Sequence, residues 1–172
     1  PPRSTLFPYT TLFRSVITNI GKEIVDTIIK DDPVRPHLTS DFRLNANREV
    51  YALYESKYAV EHYPDDDIRA IICVAYTNEV PKDEYELDLY SQQACQDGQK
   101  GDIAVFYTVW SYSKGAGREI VFDVARELKR VKKAKRFVTL SPLTEMAERF
   151  HLRNGAKLVA KHDSCQNFEY TL

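Results

Sequence analysis

The sequence predicts a single α/β domain with a mixed, mostly antiparallel sheet and helices on both faces. Three observations predict it. Residues 68–76 and 103–110 are long β-branched and aromatic runs that read as buried strands. From residue 103 onward, strand and helix patterns alternate. Two short strand patterns then close the chain as an antiparallel pair, so strands first, then alternation, then a hairpin give a mixed sheet. A chain of 172 residues is one ordinary domain with room for one core, and it shows no internal repeat or linker-like stretch.

The elements follow in order. Residues 1–15, PPRSTLFPYTTLFRS, match one reading frame of a common sequencing adapter at every position. They are expected to be a non-native tail, with the domain at 16–172. Their apolar pieces are too short and broken for a signal peptide. Ile17, Ile20, Ile24 and Ile28 fall at helical spacing and predict a first helix that ends before Asp31-Asp32-Pro33. Residues 42–44 and 49–54 read as short strands, 61–67 as a polar turn and 68–76 as a strand. Residues 81–98 are acidic and partly helical, and 103–110 form the next strand. Gly115 and Gly117 open a helix whose apolar stripe is Ile120, Val121, Val124, Leu128 and Val131. Residues 137–140 are a strand. Leu143, Met146, Ala147 and Phe150 line one face of the helix after it, which Asn154-Gly155 stops. Residues 157–160 and 166–171 are the last two strands.

Composition excludes several classes. The formal net charge is −1, which argues against a nucleic-acid surface, since that needs a basic excess to displace counterions. No apolar run reaches the roughly 18–20 residues that span a bilayer. Cys73, Cys95 and Cys165 are odd in number and lack metal-type spacing, which points to a reduced, cytoplasmic protein. His37, His62 and His162 have no partner at ligand spacing, so no metal is expected. Asp65-Asp66-Asp67 reads as a solvated turn.

Two segments carry chemistry. Ser113-Lys114-Gly115-Ala116-Gly117-Arg118 is a glycine-rich turn between a strand and a helix. Free N–H groups at a helix start point at an anion, and the helix dipole adds to them. Glycine lets a phosphate approach the backbone, and Lys114 and Arg118 add positive charge. The second segment is Phe137-Val138-Thr139-Leu140-Ser141-Pro142, followed by Phe150-His151-Leu152-Arg153-Asn154-Gly155-Ala156. It puts a serine at a strand end and a histidine on the next helix. Histidine titrates near neutral pH and suits acid or base work.

These motifs resemble the acyl-CoA site of the GNAT fold, and more narrowly the C-terminal catalytic domain of malonyl-CoA decarboxylases. The resemblance covers about residues 105–170. In GNAT acetyltransferases the turn reads Gln/Arg-x-x-Gly-x-Gly/Ala and binds the pyrophosphate of coenzyme A. Here Gly115-Ala116-Gly117 fits, while Tyr112 stands at the Gln/Arg position. Their following helix carries Ala-x-x-Phe-Tyr; here Ala147-Glu148-Arg149-Phe150-His151 puts histidine at the tyrosine. In the decarboxylases a serine and a histidine in these motifs are the catalytic pair, which implies Ser141 and His151. Glu119 falls where that family carries another implicated glutamate; as a first-turn acid it also suits the helix dipole. The family's long N-terminal helical domain, and its insertion between the two motifs, have no counterpart in these residues.

The resemblance implies an acyl-CoA enzyme that takes a coenzyme A thioester as substrate. Thr108, Val109 and Trp110 are expected to pair with the pantetheine arm, and Lys114, Gly115, Ala116, Gly117 and Arg118 to hold the pyrophosphate. Decarboxylation of malonyl-CoA leads; N-acyl transfer to an amine and a non-catalytic acyl-CoA-binding module are the alternatives. The expected partner is a small-molecule acyl-CoA, with no nucleic acid and no membrane. The basic cluster Lys129, Arg130, Lys132, Lys133, Lys135 and Arg136 reads as a solvated helix end or as a contact for the adenosine 3′-phosphate. A helix starting near Leu143 would carry His151 roughly 12 Å from Ser141, so the two are expected to flank the acyl group.

Overall fold

The structure, a computed structural model, describes residues 14–45, 47–96, 98 and 101–172. The tail expectation therefore lies outside the described residues except at Arg14 and Ser15.

Among the described residues eight strands form one sheet in the order β1-β2-β3-β4-β5-β8-β6, with β7 paired to β8. They are β1 (Val16–Asn19), β2 (Arg48–Tyr54), β3 (Ile68–Thr77), β4 (Ile103–Ser111), β5 (Arg136–Thr139), β6 (Ser141–Pro142), β7 (Lys157–Lys161) and β8 (Cys165–Tyr170). Among the described residues only β4 and β5 run parallel, and the other pairings are antiparallel. The helices are α1 (Lys22–Ile28), α2 (Ser40–Leu44), α3 (Lys57–His62), α4 (Glu84–Gln96), α5 (Ala116–Arg130) and α6 (Glu145–Arg153). The expected mixed sheet with helices on both faces is present.

The local expectations fail in two places near the N-terminus, and further on Val131 and Leu143, expected on the apolar faces of α5 and α6, lie outside those helices and are exposed. Ile17 lies on a strand and not a helix, opposite Leu53 of β2. Val16, Ile17 and Thr18 are all β-branched and suit an edge pairing, and Gly21 caps the helix that begins only at Lys22. Phe42 to Leu44 is helical and not a strand. The Thr39 hydroxyl accepts the Phe42 N–H at 3.1 Å and starts a short helix with Asp41 in its first turn. Tertiary pairing decided the first case and a cap decided the second.

The sheet separates two cores. On one side Val25, Ile28 and Leu87 from α1 and α4 cover Val50, Ile71, Val105 and Val138. On the other, the α5 stripe Ile120, Val121, Val124 and Leu128 covers Ile72, Val74, Phe106 and Phe168. α5 thus buries a stripe at helical spacing, as its sequence requires.

The parallel pair opens at its far end. β4 and β5 are in register from Ile103↔Arg136 to Phe106↔Thr139, and the Leu140 N–H still reaches the Phe106 carbonyl at 3.0 Å. Beyond that point β4 continues to Ser111 with no β5 partner. A bulge lies at the split. Val74 pairs with Phe106 and Cys73 with Thr108, so Tyr107 is an extra residue on β4. Bulges bend the strand that carries them. The chain after β5 turns instead into β6, which pairs with β8. The result is a wedge-shaped gap through the sheet.

Candidate active site

The gap holds a cavity of about 480 Å³. Thr108, Val109 and Trp110 line it from β4, Ser141 from β6, and Phe150 and His151 from α6. α6 begins where the Thr144 hydroxyl accepts the Ala147 N–H at 3.2 Å. A tight turn, Thr144 N–H to the Pro142 carbonyl at 2.9 Å, sends the helix back across the strand ends. Distance along the helix therefore does not separate His151 from Ser141. Their side chains meet, with Nε2 and Oγ 2.9 Å apart, and the expected separation of roughly 12 Å is corrected.

The pair belongs to a longer chain of hydrogen bonds. Ser141 Oγ donates to Thr139 Oγ1 at 2.9 Å, which leaves its oxygen to accept from His151 Nε2–H. His151 Nδ1 then accepts the Tyr170 hydroxyl proton at 2.8 Å. The imidazole is stacked on Phe168, with centroids 5.0 Å apart and planes at 28°, and Phe150 meets it edge-on at 5.1 Å. His151 is 7% exposed and Ser141 4%. Burial pushes the imidazole down to a pKa of about 4 and raises that of Tyr170. At neutral pH the relay Ser141–His151–Tyr170 is uncharged, and each ring nitrogen has a hydroxyl partner.

The glycine-rich turn stands beside this cavity. Gly115 caps α5 with φ of 80°, a left-handed conformation that favours glycine. Gly117 lies in the first turn of α5 and lines the cavity. A second cavity of about 590 Å³ adjoins it, bordered by Gly115, Gly117 and Arg118 together with Arg149 and Arg153 of α6. Three arginines and a helix start thus border one space, with Glu145 also on its rim and 3.9 Å from Arg149; the excess of positive charge suits a polyanion.

The structure brings together His151, Ser141, Thr108, Val109, Trp110 and Gly117 at the first cavity, and Gly115, Gly117 and Arg118 at the second. Ala116, the first residue of α5, is buried in the core, and neither it nor Lys114 lines these two cavities. Glu119 also lines neither; its carboxylate pairs with Arg69 at 3.0 Å. The basic cluster does not reach the phosphate-like site. It sits at the other end of α5, about 22 Å from Gly115 for 15 residues. There Arg130 pairs with Glu127, Lys133 with Glu49, Lys135 with Asp102 and Arg136 with Glu169. Tyr112, at the Gln/Arg position of the motif, donates to Asp31 at 2.8 Å and accepts from the Trp110 indole at 3.0 Å.

Sequence reading missed Tyr170, Thr139, Arg149 and Arg153. Arg149 and Arg153 follow Glu145 at helical spacing, so one face of α6 was open to reading. Tyr170 reaches the site through sheet pairing, whereas Thr139 stands two residues before Ser141 in the same motif. No group of three His, Cys, Asp or Glu placed to hold a metal occurs among the described residues. No helix there is long and apolar enough to cross a membrane.

No family profile matches the sequence, and no curated protein matches it. Solved structures do match. Malonyl-CoA decarboxylase from Agrobacterium vitis overlays with a TM-score of 0.57 at 22% identity, over 79% of this chain and 35% of that one. The PaiA N-acetyltransferase of Thermoplasma acidophilum, in complex with coenzyme A, gives 0.60 at 10% identity, over 93% and 100% of the two chains. NAA60 from Arabidopsis thaliana, in complex with acetyl-CoA, gives 0.56 at 12% identity, over 91% and 98%. These likenesses show a GNAT-type fold. The chain spans about a third of the length of the decarboxylase and nearly the whole of the two transferases.

Proposed function

We propose that this chain is an acyl-CoA enzyme that decarboxylates malonyl-CoA to acetyl-CoA and CO₂. The observation that carries the reading is the uncharged Ser141–His151–Tyr170 relay at the wall of the cavity between β4 and β5. The stretch of β4 at 108–110, paired with β3 but not with β5, offers the backbone groups of its open edge to a pantetheine amide. The α5 start, with Arg118, Arg149 and Arg153, offers donors to the pyrophosphate. The thioester then points into the cavity that the relay borders.

The chemistry needs a proton at one carbon. The bond between the α-carbon and the carboxylate breaks, and CO₂ leaves. The electron pair stays behind as an enolate on the thioester. The Ser141 hydroxyl delivers a proton to the α-carbon, His151 Nε2–H restores it, and solvent returns the proton to the imidazole. An enolate is basic enough to draw a proton from neutral donors. A relay without charge avoids placing an imidazolium in an apolar pocket. Thr139 and His151 hold the Ser141 donor in place before CO₂ departs, which is where preorganisation contributes most.

The test is mass spectrometry of malonyl-CoA, and separately of acetyl-CoA, incubated with the protein in D₂O, each with and without a primary amine. The reading expects acetyl-CoA carrying one solvent deuterium at its α-carbon, formed from malonyl-CoA at the same rate with and without the amine. Acetylated amine from acetyl-CoA, with malonyl-CoA untouched, would replace it with N-acyl transfer. No product in any arm would leave an acyl-CoA-binding module.

A further inference from the structure

The relay makes no use of Arg35, although Arg35 borders the same cavity and is only 3% exposed. It lies between α1 and α2, on the face of the sheet away from α5. α6 packs with α5 on the other face. The cavity passes through the gap in the sheet, so Arg35 and His151 reach it from different faces.

The loop is built to hold this arginine. Its N–H donates to Asp32 Oδ1 at 2.9 Å, and its carbonyl accepts Arg43 Nη2 at 2.7 Å. Arg43 is itself fully buried and paired with Asp32 Oδ2 at 2.9 Å. Of the five guanidinium N–H groups of Arg35, Nε donates to Glu84 at 2.8 Å, one on Nη1 to the Tyr107 carbonyl, and one on Nη2 to Cys165 Sγ at 3.7 Å. One N–H on each terminal nitrogen stands outside these bonds. One residue beyond Tyr107, the hydroxyl of Thr108 is buried without a hydrogen-bond partner among the described residues, and Thr108 borders the cavity too.

The charges point the same way. Two guanidinium groups are buried here against one buried carboxylate, Asp32. Glu84 adds a second, but its side chain is 37% exposed and it is shared with His37 at 2.9 Å. A cation with spare donors in a site of low dielectric is completed by an anion. A guanidinium with donors on both terminal nitrogens matches the two oxygens of a carboxylate.

We infer that Arg35 and the Thr108 hydroxyl form a carboxylate subsite, which selects thioesters whose acyl group ends in a carboxylate. The inference rests on the acyl-CoA reading above and names the acyl group. The same guanidinium repels the ammonium of an amine acceptor from this end of the cavity. The subsite governs recognition more than rate. Negative charge leaves the carboxylate as CO₂ forms, so Arg35 holds the substrate at least as well as the transition state. Its loss therefore raises KM more than it lowers kcat.

The experiment measures binding without turnover, by calorimetry on the His151→Ala protein. The probes are malonyl-CoA, acetoacetyl-CoA (the same length with a neutral methyl ketone in place of the carboxylate) and free coenzyme A. Malonyl-CoA is expected to bind at least about tenfold tighter than acetoacetyl-CoA. Adding Arg35→Met should erase that preference while sparing coenzyme A affinity. Adding Glu84→Gln instead keeps an acceptor for Arg35 Nε but removes the competing charge, so it should tighten malonyl-CoA alone by several-fold. Equal binding of the two thioesters, or a preference that survives Arg35→Met, overturns the subsite. If Arg35→Met does not fold, malonyl-CoA affinity unchanged by Glu84→Gln overturns it. If neither thioester nor coenzyme A binds, the acyl-CoA reading itself falls, a result distinct from the loss of selectivity alone.

Discussion

His151 owes its properties to its surroundings. Two aromatic rings and the floor of β8 strip it of water and push its pKa down to about 4. An unfolded chain would protonate it near 6.5. Stability from the neutral ring is therefore fully present above pH 6.5 and is lost as pH falls toward 4, where the native imidazole also takes a proton. A difference of that size amounts to on the order of 3 kcal/mol across the window. Urea unfolding between pH 7 and 4 should show the decline, and His151→Gln should flatten it. A slope unchanged by the substitution would mean that other groups produce it. Ser141 and His151 were legible in the sequence because each sits in a contiguous motif. Arg35 was not. It occurs in Pro-Val-Arg-Pro-His, which reads as an ordinary surface loop, and only the Asp32–Arg43 pair reveals that it is buried.

At the scale of elements, the bulge in β4 and the start of α5 divide the work. Tyr107 as the extra residue bends β4 off β5 and opens the cavity, and no residue type announces a bulge in so uniform a β-branched run. The glycines were legible, but their roles differ. Gly115 holds the positive φ, and a Cβ there meets nothing within 4 Å. Gly115→Ala should therefore cost about 1–2 kcal/mol through the backbone alone, read as a lower unfolding midpoint. Gly117 has no positive φ, and a Cβ there lies 3.7 Å from Ser111 Oγ and 3.8 Å from Phe150. Gly117→Val pushes two methyl groups into the space shared by both cavities. It should weaken coenzyme A binding by tenfold or more, on the order of the cost of overpacking, with a smaller loss of stability. Calorimetry on the folded variant checks this, and undiminished affinity would place the cofactor elsewhere. The short helix α2 and the edge strand β1 escaped sequence reading for a related reason. Each is only a few residues long, so a cap or a strand partner outweighs periodicity.

Across the whole molecule, the site exists because the sheet brings distant segments together. Ser141 pairs with Gln166 and Phe137 with Tyr170, and these two ladders set Tyr170 behind His151. The overall architecture was legible because strand and helix periods alternate cleanly after residue 103. The relay was legible except for Tyr170, which comes from a strand pairing that no local pattern encodes. The central claim is that this relay performs chemistry on an acyl-CoA and is more than packing. The most direct measurement is the rate of acetyl-CoA formation from malonyl-CoA by the wild-type, Ser141→Ala and His151→Ala proteins, each with its coenzyme A affinity and unfolding curve. The account predicts turnover in the wild type, none measurable for Ser141→Ala, which removes the proton donor, or for His151→Ala, which removes the group that recharges it, and coenzyme A affinity intact throughout. A folded His151→Ala protein that turns over malonyl-CoA at the wild-type rate would contradict it.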